Sequence, residues 1–226
     1  MQRELLQNAI DGVSRWCVVN KMSLSVPKCA VLCSRGQSHT YWLNGQVLPV
    51  VRNIRDLGVV ITPDLNFDLH ITQIVQSAST LCNMIFRCFI VKPPEFCINL
   101  YKSIVIPKLS YCCEVWRPHL KKHVEAIERV NNRFRKRVAR RCNVSEGSLD
   151  LRPIQEIHDA ADARMYIKLC KLNNIDNFCN IRANNLRSSQ TVTALAVART
   201  ERINNMFAWR VARKLNRSRH LHSNNQ

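Results

Sequence analysis

A chain of 226 residues with 46% hydrophobic content can pack one or two domains. Its five glycines are too few for a loop-rich barrel or sandwich, which favours helices. The net charge of +18 is lopsided, with 11 Lys/Arg against 6 Asp/Glu over residues 1–113 and 23 against 10 over residues 114–226, and it points to a polyanion, nucleic acid ahead of an acidic membrane surface.

Residues 3–19 have helical period, with Leu6, Ile10, Val13 and Cys17, flanked by Ala9 and Trp16, as a buried stripe. Pro27 prevents that helix from resuming. Cys29 to Cys33 reads as a short buried strand. Asn44-Gly45 between Tyr41-Trp-Leu43 and Gln46-Val-Leu48 is a hairpin signal, because both central turn residues need positive φ. Arg55 to Ile61 is a further strand, ended by Thr62-Pro63-Asp64, and these strands form a small antiparallel sheet.

After Pro63 the pattern is almost entirely helical. His70 to Val91 carries Ile71, Ile74, Ala78, Leu81 and Ile85 on one face. Pro94 opens a helix through Tyr101, and Pro107 breaks or kinks it before Trp116. Next comes a basic helix in which Leu120, Val124, Ile127, Val130, Phe134 and Val138 share one face, while Lys122, Arg129, Arg133, Lys136 and Arg140 share the other. That cationic rail extends roughly 27 Å, enough to meet several phosphates. A polar linker over 143–150 leads to a helix with Ile154, His158, Ala161, Met165, Leu169 and Leu172 as its stripe. From Asn173 the signal decays into Asn/Ser/Thr-rich segments, with a last helix around Met206-Phe207-Ala-Trp209. The fold class is therefore α+β, mainly α, with domains at 1–64, 65–145 and 146–226.

No apolar run approaches the ~20 residues of a membrane span. The 11 cysteines follow an N-terminus that reads as a helix entry, so reduced thiols in nucleus or cytoplasm are expected, not secretion. Most of them (Cys17, Cys82, Cys88, Cys97, Cys170) fall on apolar faces. Cys112-Cys113 with His119 and His123 makes a poor zinc site, since adjacent cysteines are poor tetrahedral partners; Cys29, Cys33 and His39 fall short of ligands, and no metal site is expected. His158 suits packing better than ligation or catalysis. Two-metal phosphoryl transfer needs converging acids, and Asp56, Asp64 and Asp68 stand apart with no Asp-Asp pair anywhere. Lys28, in a turn before a strand, is by itself a solvated lysine.

Taken in order, these pieces resemble the reverse transcriptases of non-long-terminal-repeat (LINE-like) retrotransposons, from the end of the palm through the thumb. The helix with Leu5, Leu6 and Trp16 precedes Leu24-Ser25-Val-Pro-Lys28-Cys29, similar to a Leu-Asn-x-x-Lys-(Cys/Thr) element with Ser25 in place of Asn. Leu57-Gly58-Val59 resembles the primer grip, and Leu65-Asn-Phe67-Asp-Leu-His70-Ile71 a Leu-x-Phe-x-x-His-Ile run. Val105-Ile-Pro107, Leu109-Ser-Tyr111 and Val115-Trp116-x-Pro118 follow, then Ile127-Glu128-x-Val130-Asn131-Asn132-Arg133-Phe134, with Asn131 where the family has Gln. The likeness covers about residues 3–175.

The resemblance implies a small sheet from a polymerase palm and a helical, thumb-like bundle. Lys28 would match the lysine that protonates departing pyrophosphate, and Leu57, Gly58 and Val59 would lie near the primer 3′ end. The basic helix would track RNA, DNA or a hybrid along its backbone. The fingers, the first catalytic Asp and the Asp-Asp hairpin would lie upstream of Met1, so the resemblance implies a truncated polymerase fragment, inactive alone. It needs no cofactor itself, Mg²⁺ belonging to the full-length enzyme. The alternatives from the residues themselves are a non-enzymatic basic nucleic-acid-binding protein and a helical interaction module.

Overall fold

A computed structural model describes residues 2–33, 39–89, 93–172 and 207, 210 and 211. They fall into two compact units, Met1–His70 and Ile71–Gln226. The described residues are mainly helical, with two antiparallel sheets of two strands each among them.

The first unit opens with helix α1, Gln2–Val19. Strands β1 (Trp42–Leu43) and β2 (Gln46–Val47) pair antiparallel across Asn44-Gly45, whose φ values of 50° and 75° are those the turn demands. Tyr41, Leu43 and Leu48 form a small core that Ile10 of α1, with Leu24, Val26, Cys29 and Val31, packs against. The Gln7 amide fixes the helix to the hairpin, donating to the Trp42 carbonyl at 2.9 Å and accepting the Trp42 N–H at 3.0 Å.

Here three expectations fail. Only Cys17 of the α1 stripe is buried; Leu6, Val13 and Trp16 are 50%, 55% and 58% exposed, because the hairpin is narrow and covers only the edge that carries Ile10. Cys29–Cys33 is not a strand: its one ladder contact is a parallel bridge, Val31 to Val50, and the preceding Val26–Lys28 is a 3-10 turn around Pro27. Arg55–Ile61 is not one strand but a hairpin, β3 (Ile54–Asp56) and β4 (Val59–Ile61), reversed at Leu57-Gly58 with φ 44° and 88°. Two separate hairpins thus replace the single small sheet.

His70 closes the unit. Its Nδ1 accepts the Val60 N–H at 3.3 Å, so the ring is a buried acceptor for the strand backbone.

The second unit is helical. Helix α2, Asp68–Cys88, buries Ile71, Ile74, Ala78, Cys82, Ile85 and Phe86. Helix α3 (Pro94–Leu100) passes through a π-helical turn, Tyr101–Val105, into α4 (Ile106–Ser110). Of the two outcomes expected at Pro107, a break is not seen; the helix continues through a local π-helical distortion just before the proline. A proline ring clashes with the carbonyl four residues earlier, and the wider turn, with Ile106 N–H on the Tyr101 carbonyl, makes room for it. Helix α5 (Cys113–Trp116) is followed by α6 (Lys121–Cys142), which stops at Asn143 in the left-handed conformation. The N–H groups of Asn143 and Val144 both return to the Ala139 carbonyl. Helix α7, Ile154–Lys171, packs against α4, α5 and α6.

The core is aromatic. Phe134 of α6 stacks on Tyr101 at 4.3 Å between centroids and meets Phe86 at 4.9 Å. Trp116 is buried against the edge of His158, whose Nε2 bonds the Leu109 carbonyl at 2.8 Å. One buried ionic cluster completes it. Asp162, 1% exposed, accepts Arg117 at 2.8 Å and Arg210 at 2.8 and 3.0 Å; Arg117 also binds Asp159, and Arg210 donates to the Glu114 carbonyl. Phe207, Arg210 and Val211 are helical, while the rest of the expected last helix, Met206, Ala208 and Trp209, lies outside the described residues, as do the Asn/Ser/Thr-rich segments.

Candidate nucleic-acid interface

Helix α6 sorts its side chains by angle. His123, Ile127, Val130, Asn131, Phe134, Val138 and Ala139 are buried. Lys122, Arg129, Arg133, Lys136 and Arg140 are all exposed and fall within about 60° of one another at ~100° per residue. Among the described residues, Arg129, Arg133, Lys136 and Arg140 have no acidic partner. The nearest acid on the helix, Glu125, pairs with Lys121 at 3.7 Å. Four neighbouring cations without counter-charges are costly for the fold and gain when a polyanion arrives.

The remaining arginines of α6 are tied to the protein. Arg135 donates to the Leu151 carbonyl. Arg137 bonds Asn83 Oδ1 at 3.0 Å and lies 4.4 Å over the Phe86 ring; Arg141 bonds the Phe86 carbonyl at 2.8 Å and lies 5.0 Å from the same ring. Neither Arg137 nor Arg141 stood out in the sequence, since an arginine is recognised as aromatic-stacked only once its partner helix is placed.

Glu128 and Asn131 are structural. Glu128 Oε1 accepts the Asn131 amide at 2.9 Å, and Oε2 accepts the Ile154 N–H at 2.9 Å, capping the start of α7. The Asn131 amide also donates to the Arg152 carbonyl at 3.0 Å. These two residues set α7 against the buried side of the rail helix.

The other candidates stand elsewhere. Lys28 is exposed at the end of its 3-10 turn. Leu57, 82% exposed, and Gly58 form the tip of the β3–β4 hairpin, whereas Val59 is buried beneath it. Both lie in the first unit and the rail in the second.

Metal donors do not converge: among the described residues, no group of three His, Cys, Asp or Glu side chains comes together. Cys113 is fully buried, and burial pushes its thiol up to about 12, far from the thiolate a metal needs. Cys17, Cys82 and Cys97 are buried as expected of apolar-face cysteines, but Cys88 is exposed and the Cys170 side chain lies outside the described residues. No described helix is long and apolar enough to cross a membrane.

No protein-family model matches the chain, and no solved structure matches it. An uncharacterized protein of Caenorhabditis elegans is 35% identical over 102 residues, 45% of this chain and 52% of that one. The RNA-directed DNA polymerases from mobile element jockey of Drosophila melanogaster and Drosophila funebris are 25% and 23% identical over 142 residues. Those matches cover 59% and 60% of this chain but only 15% and 16% of the polymerases. The chain thus spans about half the length of the nematode protein and a small part of the insect enzymes, and its likeness to mobile-element reverse transcriptases is distant and partial.

Proposed function

We propose that this chain is a palm-end and thumb-like portion of a retrotransposon RNA-directed DNA polymerase, and that α6 holds the template–primer by its phosphate backbone. The carrying observation is the rail: five cations on one exposed face of a helix whose opposite face is anchored in an aromatic core. The distant likeness to the jockey polymerases supports the polymerase part. In this reading Lys28 serves the departing pyrophosphate, and the Leu57-Gly58-Val59 hairpin tip approaches the primer end. The chain itself carries no Asp-Asp pair to seat Mg²⁺, so it binds without polymerising.

Fluorescence anisotropy on an RNA–DNA hybrid tests this across a salt series. About five neutralised phosphates should make log K fall with log salt at a slope of roughly −4 to −5. A flat slope would remove nucleic-acid binding from the account. Replacing Arg129, Arg133, Lys136 and Arg140 by Gln should weaken binding on all sequences alike, because phosphate contacts carry no sequence information. Primer extension with Mg²⁺ checks the rest, and nucleotide incorporation by this chain alone would defeat the fragment reading.

A further inference from the structure

Beside the rail, α2 and α6 enclose a small groove of about 110 Å³, lined by Ser79, Asn83, Phe86, Arg133, Phe134 and Arg137 among others. No carboxylate borders it, while two guanidiniums do. Its polar wall is also biased towards donation. Asn83 Oδ1 already accepts Arg137, which leaves that amide its N–H groups to offer; the Ser79 hydroxyl, whose proton goes to the Val75 carbonyl, adds no donor.

Phe86 organises this wall. Arg137 and Arg141 both lie over its ring, and Phe134 leans against it. The ring is almost closed to solvent, so the groove suits a compact anion and not a stacked nucleoside. Arg133, Arg137 and Arg141 follow one another at four-residue steps, about 6 Å apart along the axis. Guanidiniums held on an aromatic surface and by hydrogen bonds lose little further freedom on meeting a phosphate, and their planar fork matches its oxygens.

We propose that this groove is a phosphate pocket for the strand carried by the rail, with Arg133 and Arg137 gripping one phosphodiester, Arg141 its neighbour, and Phe86 acting as the positioning residue beneath them. This rests on the reading of α6 as a backbone-binding helix. It extends the contact from a ridge of flexible cations to a file of pre-set ones on the α2 side.

The test uses the full chain and the same labelled hybrid. Replacing Arg137 and Arg141 by Gln should flatten the salt slope by about 0.9, one phosphate's worth on a duplex, because Arg133 still neutralises the phosphodiester it shares with Arg137, and weaken binding at least ten-fold. Arg137→Lys with Arg141→Lys keeps both charges; the slope should hold while affinity falls about three- to five-fold, because the planar fork is lost. Both arginines are exposed, and circular dichroism melting confirms the fold of each variant. An unchanged slope and affinity in the Gln variant, with wild-type and rail variants behaving as expected, would overturn the pocket and leave the rail standing. A wild-type chain with no salt-dependent binding would instead defeat the parent reading. Inorganic phosphate separates a strand from a free anion: saturable phosphate shifts of the arginine Nε–H resonances, with hybrid binding unaffected by the Gln changes, would assign the groove to a small anion and refute the proposal.

Discussion

Asp162 shows how much a single buried residue can carry. Its two oxygens satisfy Arg117 from one side and Arg210 from the other, in surroundings almost closed to water. Removing the carboxylate takes from buried Arg210 the oxygens that accept its Nε–H and one of its terminal N–H groups. Asp162→Ala should therefore cost about 3–5 kcal/mol in urea unfolding, against under ~1 kcal/mol for removing the exposed Lys121–Glu125 pair. His158 provides the pH dependence. Burial, chiefly, holds its imidazole below the ordinary range, with Arg117 adding to the effect and the Leu109 carbonyl opposing it. The folded ring stays neutral while the unfolded one takes up a proton near pH ~6.5. Its contribution to stability is thus complete above that value and is lost as pH falls below it towards the folded value. The urea midpoint should drop between pH 7.5 and 5.5, and drop less in His158→Gln. The packing role of His158 was legible from its place on an apolar stripe. The Asp162–Arg210 pair was not, because nothing local in a sequence matches charges 48 residues apart.

Among the elements, α6 was the most legible. Its apolar and cationic faces separate by period alone, and the structure buries Ile127, Val130, Phe134 and Val138 of the one, leaves Leu120 and Val124 half-buried, and exposes the other. The Asn44-Gly45 hairpin was equally readable from residues that tolerate positive φ. Leu57-Gly58 was missed, since a leucine at φ 44° is not a turn signal and the valines after it read as a continuing strand. The π turn ahead of Pro107 was not legible for a different reason. Tyr101, Val105 and Leu109 are all fully buried at steps of four, where a plain α-helix would drift about 40° per step. The π turn takes out part of that drift and relieves the proline together. Glu128 belongs to this scale because it joins two helices. Glu128→Ala removes one of the two acceptors of the Asn131 amide and the acceptor of the first N–H of α7, and should cost about 1–2 kcal/mol by thermal or urea unfolding, with Glu128→Gln costing less.

At the scale of the whole molecule, charge and grease are both left facing outward. Leu5, Leu6, Val13 and Trp16 of α1 are half or more exposed, a contiguous apolar strip that a monomer seldom leaves bare. The periodicity of α1 said which side is apolar but could not say whether anything covers it. The chain should self-associate as concentration rises in sedimentation velocity, and Leu6→Lys with Trp16→Lys should return it to monomer without loss of helix; a wild-type chain monomeric at all concentrations would contradict this. The clasp on Asp162 has a reach beyond its own neighbourhood. Arg210 and its buried neighbour Val211 stand far along the chain from α7, yet they are seated in the same interior. If an introduced protease site between residues 172 and 207 were cut, the two pieces would still travel together through a sizing column. They would part only in denaturant, or once that aspartate is gone: the tail is latched to the body by its side chains as well as strung from it by its peptide bonds.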